Sequence, residues 1–173
     1  TLAGGKPVSV PLTKTLHLDI EKAKGLMDKS KIFVLNSPGN PTGAVESKES
    51  IRAIVEYAAD KGVTVVSDEV YEHFIYGKKH YSAAQFGDNV ITINATSKTY
   101  AMTGWRLGYL AASPEIIGQC LKVHQYCQAC ATSISQYAAV AAYEGDQSAI
   151  KVMREEYEAR RDLIWGGLKN MGF

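Results

Sequence analysis

Residues Thr92–Ala112 have the sequence TINATSKTYAMTGWRLGYLAA. The stretch opens with a β-branched run typical of a buried strand and closes with a second apolar run that predicts another strand. Between them, small residues surround Lys98, and Arg106 follows in the same turn region. A lone lysine after a strand is most often solvent-exposed. The alternative is an amine that desolvation or a neighbouring cation keeps deprotonated and nucleophilic, and Arg106 is a candidate for that cation.

Composition limits the classes of protein to consider. The chain has 173 residues, of which 46% are hydrophobic and 21% charged, as expected for one soluble domain with a sizeable core. A net charge of +1 gives no broad attraction to nucleic acid or to an anionic membrane. The sequence shows neither a bilayer-spanning apolar run nor a signal-peptide pattern, and its three cysteines do not suggest a disulfide framework. We therefore expect a cytoplasmic protein.

Apolar periodicity predicts an alternation of strands and helices. The predicted strands are Val8–Leu12, Lys31–Leu35, Val63–Ser67, Val90–Asn94 and Arg106–Ala112. The predicted helices are Asp19–Asp28, Glu46–Lys61, Pro114–Ala131, Ser133–Tyr143 and Ser148–Asn170. This order indicates an α/β fold with three layers, in which a mostly parallel sheet lies between helices. Such sheets bind ligands at the carboxyl ends of their strands.

Three loops follow predicted strand ends: NSPGNPTG, SDEVYEHF and NATSKTYAMTG. Asp68 could cap a turn, or its carboxylate could orient a protonated nitrogen of a ligand. Tyr71 could point its phenol toward the same place. Asn40 begins an Asn-Pro turn, and its amide could also face a ligand; the Asn40–Pro41 bond could be cis, although such bonds are usually trans. Hydroxyl groups around Ser97 suit an anion such as phosphate.

The segment CLKVHQYCQAC offers a competing site. Cys120, His124, Cys127 and Cys130 share one face of a predicted helix, and their types suit zinc or a redox pair. One straight helix would spread the outer cysteines over roughly 15 Å, too far for ligands of a single ion. We therefore predict a packed stripe of small buried residues and no metal site. The remaining histidines, including His80, are predicted to be surface or structural residues.

The three loops together resemble the class I/II aminotransferases, which are fold type I pyridoxal-phosphate enzymes. The residues that carry the resemblance are NSPGNPTG, SDEVYEHFIYG and SKTYAMTGWRLGYLA, in that order and at family-like separation. The similarity is greatest to the aspartate-aminotransferase-like branch of bacteria and archaea, and it covers essentially the whole chain.

This resemblance implies a role for each candidate residue. Lys98 would form the internal aldimine with pyridoxal 5′-phosphate and then move the proton between substrate and cofactor. Asp68 would pair with the pyridine nitrogen. Tyr71 and Asn40 would donate to the ring's phenolic oxygen. The phosphate ligands would be Ser97 and Arg106, the latter able to bind it bidentately.

Two departures from the family are expected to matter. Ala95 stands three residues before Lys98, where the family has Ser or Gly. Binding of the cofactor phosphate should therefore be altered but not lost. Family members are also much longer. Residues 1–173 would form only part of the large, cofactor-binding domain of a longer protein, which we call the parent. The N-terminal segment and the C-terminal small domain of the parent would lie outside residues 1–173.

The implied function is amino-group transfer from an amino acid to a 2-oxo acid by a parent homodimer. The fragment alone is expected to be inactive. Three alternatives stay open: a lyase or decarboxylase with the same cofactor, a non-catalytic α/β scaffold, and a redox or metal module built on Cys127 and Cys130.

Overall fold

The structure, a computed structural model, describes residues 2–173. The helices in this range are α1 (Ile20–Met27), α2 (Lys48–Asp60), α3 (Thr96–Thr99), α4 (Pro114–Cys127), α5 (Ser133–Glu144) and α6 (Ser148–Asn170). The strands are β1 (Ile32–Asn36), β2 (Thr64–Asp68), β3 (Val90–Ala95) and β4 (Gly108–Ala111). Short 3₁₀ turns occupy Ala83–Gln85 and Thr103–Trp105.

The strands form one sheet in the order β1-β2-β3-β4. The first three strands are parallel, and β4 runs antiparallel to β3. In the register, Asp68 lies beside Asn36 on one side and beside Ile93 on the other. The carboxyl ends of β1, β2 and β3 therefore meet at one edge of the sheet. The predicted α/β fold with a mostly parallel sheet is confirmed.

The core of the described residues lies on one face of this sheet. Phe33, Leu35 and Val65 are buried there and pack with the inner residues of α1 and α2. On the opposite face Ile32 and Val34 keep 58% and 67% of their surface exposed. Side chains alternate between the faces of a strand, so the residues of β2 divide in the same way. Asp68 lies on the face opposite the core.

Helix α2 forms because its sequence supplies both a cap and an apolar stripe. The Ser47 hydroxyl accepts a hydrogen bond of 3.1 Å from the Ser50 N–H, which satisfies one free donor of the first turn. The buried residues of the stripe are Ile51, Ile54, Val55 and Ala58. Gly62, with φ of 64°, ends the helix in the left-handed region that favours glycine. Each large aliphatic side chain buried here contributes about 1.5–3 kcal/mol.

Two expectations are wrong. Val8–Leu12 is not a strand, because only Leu12 pairs, through an isolated bridge to Leu18. The cysteine segment is not a buried stripe. Helix α4 has no buried residue, it ends at Cys127, and both Cys127 and Cys130 are exposed. Among the described residues, no helix is long and apolar enough to cross a membrane.

Candidate functional site

The three loops predicted from the sequence meet at the carboxyl edge of the sheet. The first follows β1 at Asn36, the second begins at Asp68, and the third leaves β3 at Ala95. The main chain links the first two, since the Ser37 N–H donates to the Asp68 carbonyl at 3.3 Å. Parallel pairing of β1, β2 and β3 thus brings together residues that lie far apart in the sequence.

In the loop after β1, the position of Asn40 is fixed by a hydrogen bond from its backbone N–H. Asn36 accepts a hydrogen bond of 2.9 Å from the Asn40 N–H through its side-chain oxygen. The bonds Ser37–Pro38 and Asn40–Pro41 are both cis. Asn40 is exposed, and its side-chain nitrogen donates to the phenol oxygen of Tyr71 at 3.1 Å. The predicted turn residue therefore also presents its amide to a second predicted site residue.

Asp68 is half-buried at the last position of β2. One carboxylate oxygen accepts the Val70 N–H at 3.2 Å, which makes Asp68 the cap of the turn that follows. The turn fixes the side chain at the sheet edge, three residues before Tyr71. The two interpretations of Asp68 are therefore compatible, because a carboxylate held by a turn can still accept a proton donor of a ligand through its other oxygen.

Lys98 lies in α3, the single turn of helix that follows β3. It is half-buried, and its amine lies 5.8 Å from the centre of the Tyr71 ring. The turn is bound to the residue that precedes β4, because the buried Thr96 donates its hydroxyl to the Leu107 carbonyl at 3.2 Å. Tyr71 thus contacts the Asn40 amide and faces the Lys98 amine, three residues after Asp68 ends β2.

Ser97 and Arg106 are linked through Thr103, which the sequence did not single out. The Thr103 hydroxyl donates to the Ser97 carbonyl at 3.0 Å, and the Arg106 guanidinium donates to the Thr103 carbonyl at 2.7 Å. Arg106 is exposed and has a left-handed backbone with φ of 54°. It lines a cavity of about 580 Å³ together with Cys130. Of the predicted site residues, Arg106 lines this cavity, whereas Lys98 and Asp68 do not.

A further cluster lies behind Asp68, on the core side of the sheet edge. Glu69 is only 2% exposed, and its carboxylate lies 2.9 Å from the His80 imidazole. Burial raises the pKa of the Glu69 carboxyl, but hydrogen bonds from His80, Ala83 and Ser67 outweigh this effect and lower the pKa below its ordinary value. The sequence carried no signal for this pair, because the two residues come from distant points of an irregular loop.

Comparison with known proteins places the whole chain in a family. The family model of aminotransferase class I and II matches residues 1–173. A probable aspartate aminotransferase of Methanocaldococcus jannaschii is 48% identical over 98% of the chain, and the aspartate aminotransferase of Pyrococcus abyssi is 45% identical over 99%.

Solved structures agree with the sequence comparison. An aspartate aminotransferase double mutant from Thermus thermophilus has a TM-score of 0.95 and 34% identity, over 98% of this chain and 46% of its own. An aromatic aminotransferase from Pyrococcus horikoshii has a TM-score of 0.93 and 43% identity, over 99% and 48%. The chain spans about half the length of the relatives it matches, 47% and 46% for the two curated proteins. With a family model matching from end to end, the chain belongs to the class I and II aminotransferases.

Proposed function

We propose that this chain is the central part of the cofactor-binding domain of a pyridoxal-phosphate-dependent aminotransferase. The parent protein would transfer an amino group from an amino acid to a 2-oxo acid. The observation that carries the proposal is the grouping of Lys98, Tyr71 and Asn40 at the carboxyl edge of the sheet, where Asp68 ends β2. The names of the relatives, aspartate and aromatic aminotransferases, support the same class of substrates.

The chemistry of the donor set fits this cofactor. An aromatic ring with a protonated nitrogen needs a carboxylate, which Asp68 supplies. A ring oxygen needs donors, and Tyr71 and Asn40 have them: the Asn40 amide donates to the Tyr71 oxygen, which leaves the phenol hydrogen and the second amide hydrogen for a ligand. A phosphate group suits the Arg106 guanidinium and the Ser97 hydroxyl. Ala95, next to this turn, has no hydroxyl to add.

Pyridoxal phosphate supplies an electrophilic aldehyde and a ring that accepts the electrons of a substrate carbanion. Lys98 Nζ would accept the proton that leaves the substrate Cα and would later release it. The Asp68 carboxylate would hold the proton on the ring nitrogen, because the charged pair is more stable than a neutral ring beside a carboxylate. Tyr71 and Asn40 would fix the orientation of the ring between these two groups.

Several properties of the parent follow from the same proposal. The parent would add an N-terminal segment and a C-terminal small domain, act as a homodimer and reside in the cytoplasm. We expect the chain of residues 1–173 to have little or no transaminase activity, because its relatives are about twice as long. Ordinary turnover of an amino acid with 2-oxoglutarate by this chain alone would contradict that expectation.

The decisive experiment maps the lysine that binds the cofactor. Pyridoxal phosphate is added to the parent protein, the mixture is reduced with borohydride, and the modified peptides are identified by mass spectrometry. We expect the label on Lys98, its loss in Lys98→Ala and its retention in Lys78→Ala, which changes an exposed lysine of the loop after β2. Label spread over surface lysines would refute the proposal.

A separate product analysis of the parent tests the lyase and decarboxylase alternatives. It distinguishes 2-oxo acid, the transamination product, from ammonia or carbon dioxide.

A further inference from the structure

Both oxygens of the buried Glu69 carboxylate have protein donors within hydrogen-bond distance. Its Oε1 atom accepts hydrogen bonds from the hydroxyls of Ser67 and Ser82, at 2.8 and 3.1 Å, and from the Ala83 N–H at 3.0 Å. Its Oε2 atom lies 2.9 Å from Nε2 of His80. A carboxylate this deeply buried is stable only when such donors replace water. The arrangement is therefore a closed structural unit, which we call the Glu69 clasp.

The clasp joins the two ends of one long loop. Glu69 is the first residue after β2, whereas His80, Ser82 and Ala83 lie at the far end of the loop, before β3. The backbone of Glu69 is fixed as well, since its N–H donates to the Ile93 carbonyl at 3.0 Å and its carbonyl accepts the Glu72 N–H at 2.9 Å. The loop of residues 69–83 is thus closed at its base by one side chain.

The loop that the clasp closes carries Tyr71. Tyr71 lies two positions after Glu69. Its phenol oxygen accepts a hydrogen bond from the Asn40 amide, and its ring centre lies 5.8 Å from the Lys98 amine. Because successive side chains alternate between the two faces of a sheet, the Asp68 and Glu69 side chains lie on opposite faces at the end of β2. Asp68 thus lies on the ligand side of the edge, while Glu69 anchors the same peptide from the core side.

We propose that Glu69 and His80 are positioning residues, which hold the loop of residues 69–83 closed so that Asp68 and Tyr71 keep the orientation needed to bind the cofactor ring. The cofactor part of this inference rests on the proposed function. The closure of the loop does not, and it can be measured without cofactor.

The geometry of His80 provides a matched pair of variants. The clasp uses only Nε2 of the imidazole, and Nδ1 is buried without a hydrogen-bond partner among the described residues. The side-chain nitrogen of glutamine can reach the place of Nε2, whereas that of asparagine corresponds to Nδ1. His80→Gln should therefore keep the clasp and His80→Asn should open it. Glu69→Ala removes all the acceptors, and Glu56→Ala, on the exposed side of α2, is the control.

The first measurement is hydrogen exchange of the cofactor-free parent protein. We expect exchange at residues 80–83 to be about tenfold faster in Glu69→Ala and His80→Asn, because a lost hydrogen bond of this kind corresponds to roughly that factor. His80→Gln and Glu56→Ala should exchange like the wild type. Equal exchange in all four variants would overturn the clasp, and the His80 pair decides the matter even if Glu69→Ala does not fold.

The second measurement is made with bound pyridoxal phosphate. In His80→Asn we expect about tenfold weaker cofactor affinity. The absorbance of the bound cofactor should also change at a higher pH midpoint, which is the effect expected when Tyr71→Phe removes the phenol. In His80→Gln both quantities should match the wild type. The titratable groups that face Glu69 are His80 and Glu72. Asparagine and glutamine are both uncharged, so neither substitution of His80 adds a charge to the site. Faster exchange with unchanged affinity and midpoint would overturn the positioning role. A wild type that fails to bind cofactor at Lys98 would instead refute the proposed function and leave the exchange result standing.

Discussion

Asn40 donates a hydrogen bond of 3.1 Å to the phenol oxygen of Tyr71, although 31 positions separate the two residues in the chain. The contact connects the loop after β1 with the loop after β2 at the sheet edge. Because Tyr71 is the acceptor in this bond, its own hydrogen remains available for a ligand. The pair therefore forms a preorganised donor surface before any ligand arrives, which reduces the ordering cost of binding.

Replacement of Tyr71 by phenylalanine tests this surface. We expect Tyr71→Phe to lower the stability of the parent by less than about 1.5 kcal/mol, since the lost bond is exposed. The pH midpoint of the bound cofactor's absorbance should rise by about one pH unit, because the phenol no longer stabilises an anionic ring oxygen. A spectrophotometric pH titration measures the midpoint. Tyr137→Phe, at an exposed position of α5, is the control, and an unchanged midpoint in Tyr71→Phe would contradict the assignment.

Thr103 is predicted to position the turn that carries Ser97. Thr103→Val keeps the shape of the side chain but removes the hydroxyl that donates to the Ser97 carbonyl at 3.0 Å. We expect cofactor affinity to fall about three- to tenfold, with a stability loss below about 1 kcal/mol, because the bond lies at the surface. Fluorescence titration with pyridoxal phosphate measures the affinity. Thr103→Ser keeps the donor and should bind like the wild type; equal binding by the valine and serine variants would show that the hydroxyl has no such role.

The Glu69 carboxyl predicts how stability depends on pH. Its pKa in the folded protein is below the ordinary value of 4.5, so the deprotonated form stabilises the fold above that value. This contribution is lost as the pH falls through the lowered pKa. Glu69→Gln should therefore be less stable than the wild type at pH 7 by about 1.5–3 kcal/mol, and the difference should shrink as the pH falls below 4.5. Urea unfolding at a series of pH values measures it, and a difference independent of pH would rule the prediction out.

Most elements of this fold could be predicted from local pattern. Helix α2 begins two residues after, and ends one residue before, the limits predicted from its apolar stripe and from Gly62. β1, β2 and β3 were found within one residue because short β-branched runs between loops have few alternative structures. The predicted strand Val8–Leu12 failed because an apolar run becomes a strand only where a partner strand is available, and a single bridge at Leu12 is all that forms.

What the sequence could not supply was contact across loops. The loops that carry Asn40, Asp68 and Lys98 were located because they follow strands, and parallel strands bring their ends together. The Glu69 clasp was missed, and so was the link from Thr103 to Ser97, because irregular backbone has no period that relates spacing to proximity. The cysteine face of α4 was misjudged for another reason: an apolar stripe shows which side of a helix can be buried, but not whether another element covers it.

A side chain at Gly108 is predicted to be destabilising because β4 approaches β3 closely at this point. A Cβ atom at Gly108 would lie 3.0 Å from the Asn94 carbonyl oxygen and 3.3 Å from the Ala95 Cβ, both on the neighbouring strand. Ala95 directly precedes the turn that holds Lys98. We therefore expect Gly108→Ala to push β4 away from β3, lower stability by about 1–3 kcal/mol and weaken cofactor binding.

Thermal unfolding and cofactor titration of the parent measure the two effects of this substitution. A loss of this size lowers the melting temperature by about 2–4 °C per kcal/mol for a domain of 150–250 residues, and by less in a longer chain. The matched control is Gly104→Ala in the preceding 3₁₀ turn, where an added Cβ would meet no atom within 4 Å. If the two alanine variants unfold at the same temperature, the close approach of β4 to Ala95 does not constrain the Lys98 turn. If only Gly108→Ala is destabilised and binds cofactor weakly, the spacing of these two strands is part of the binding site.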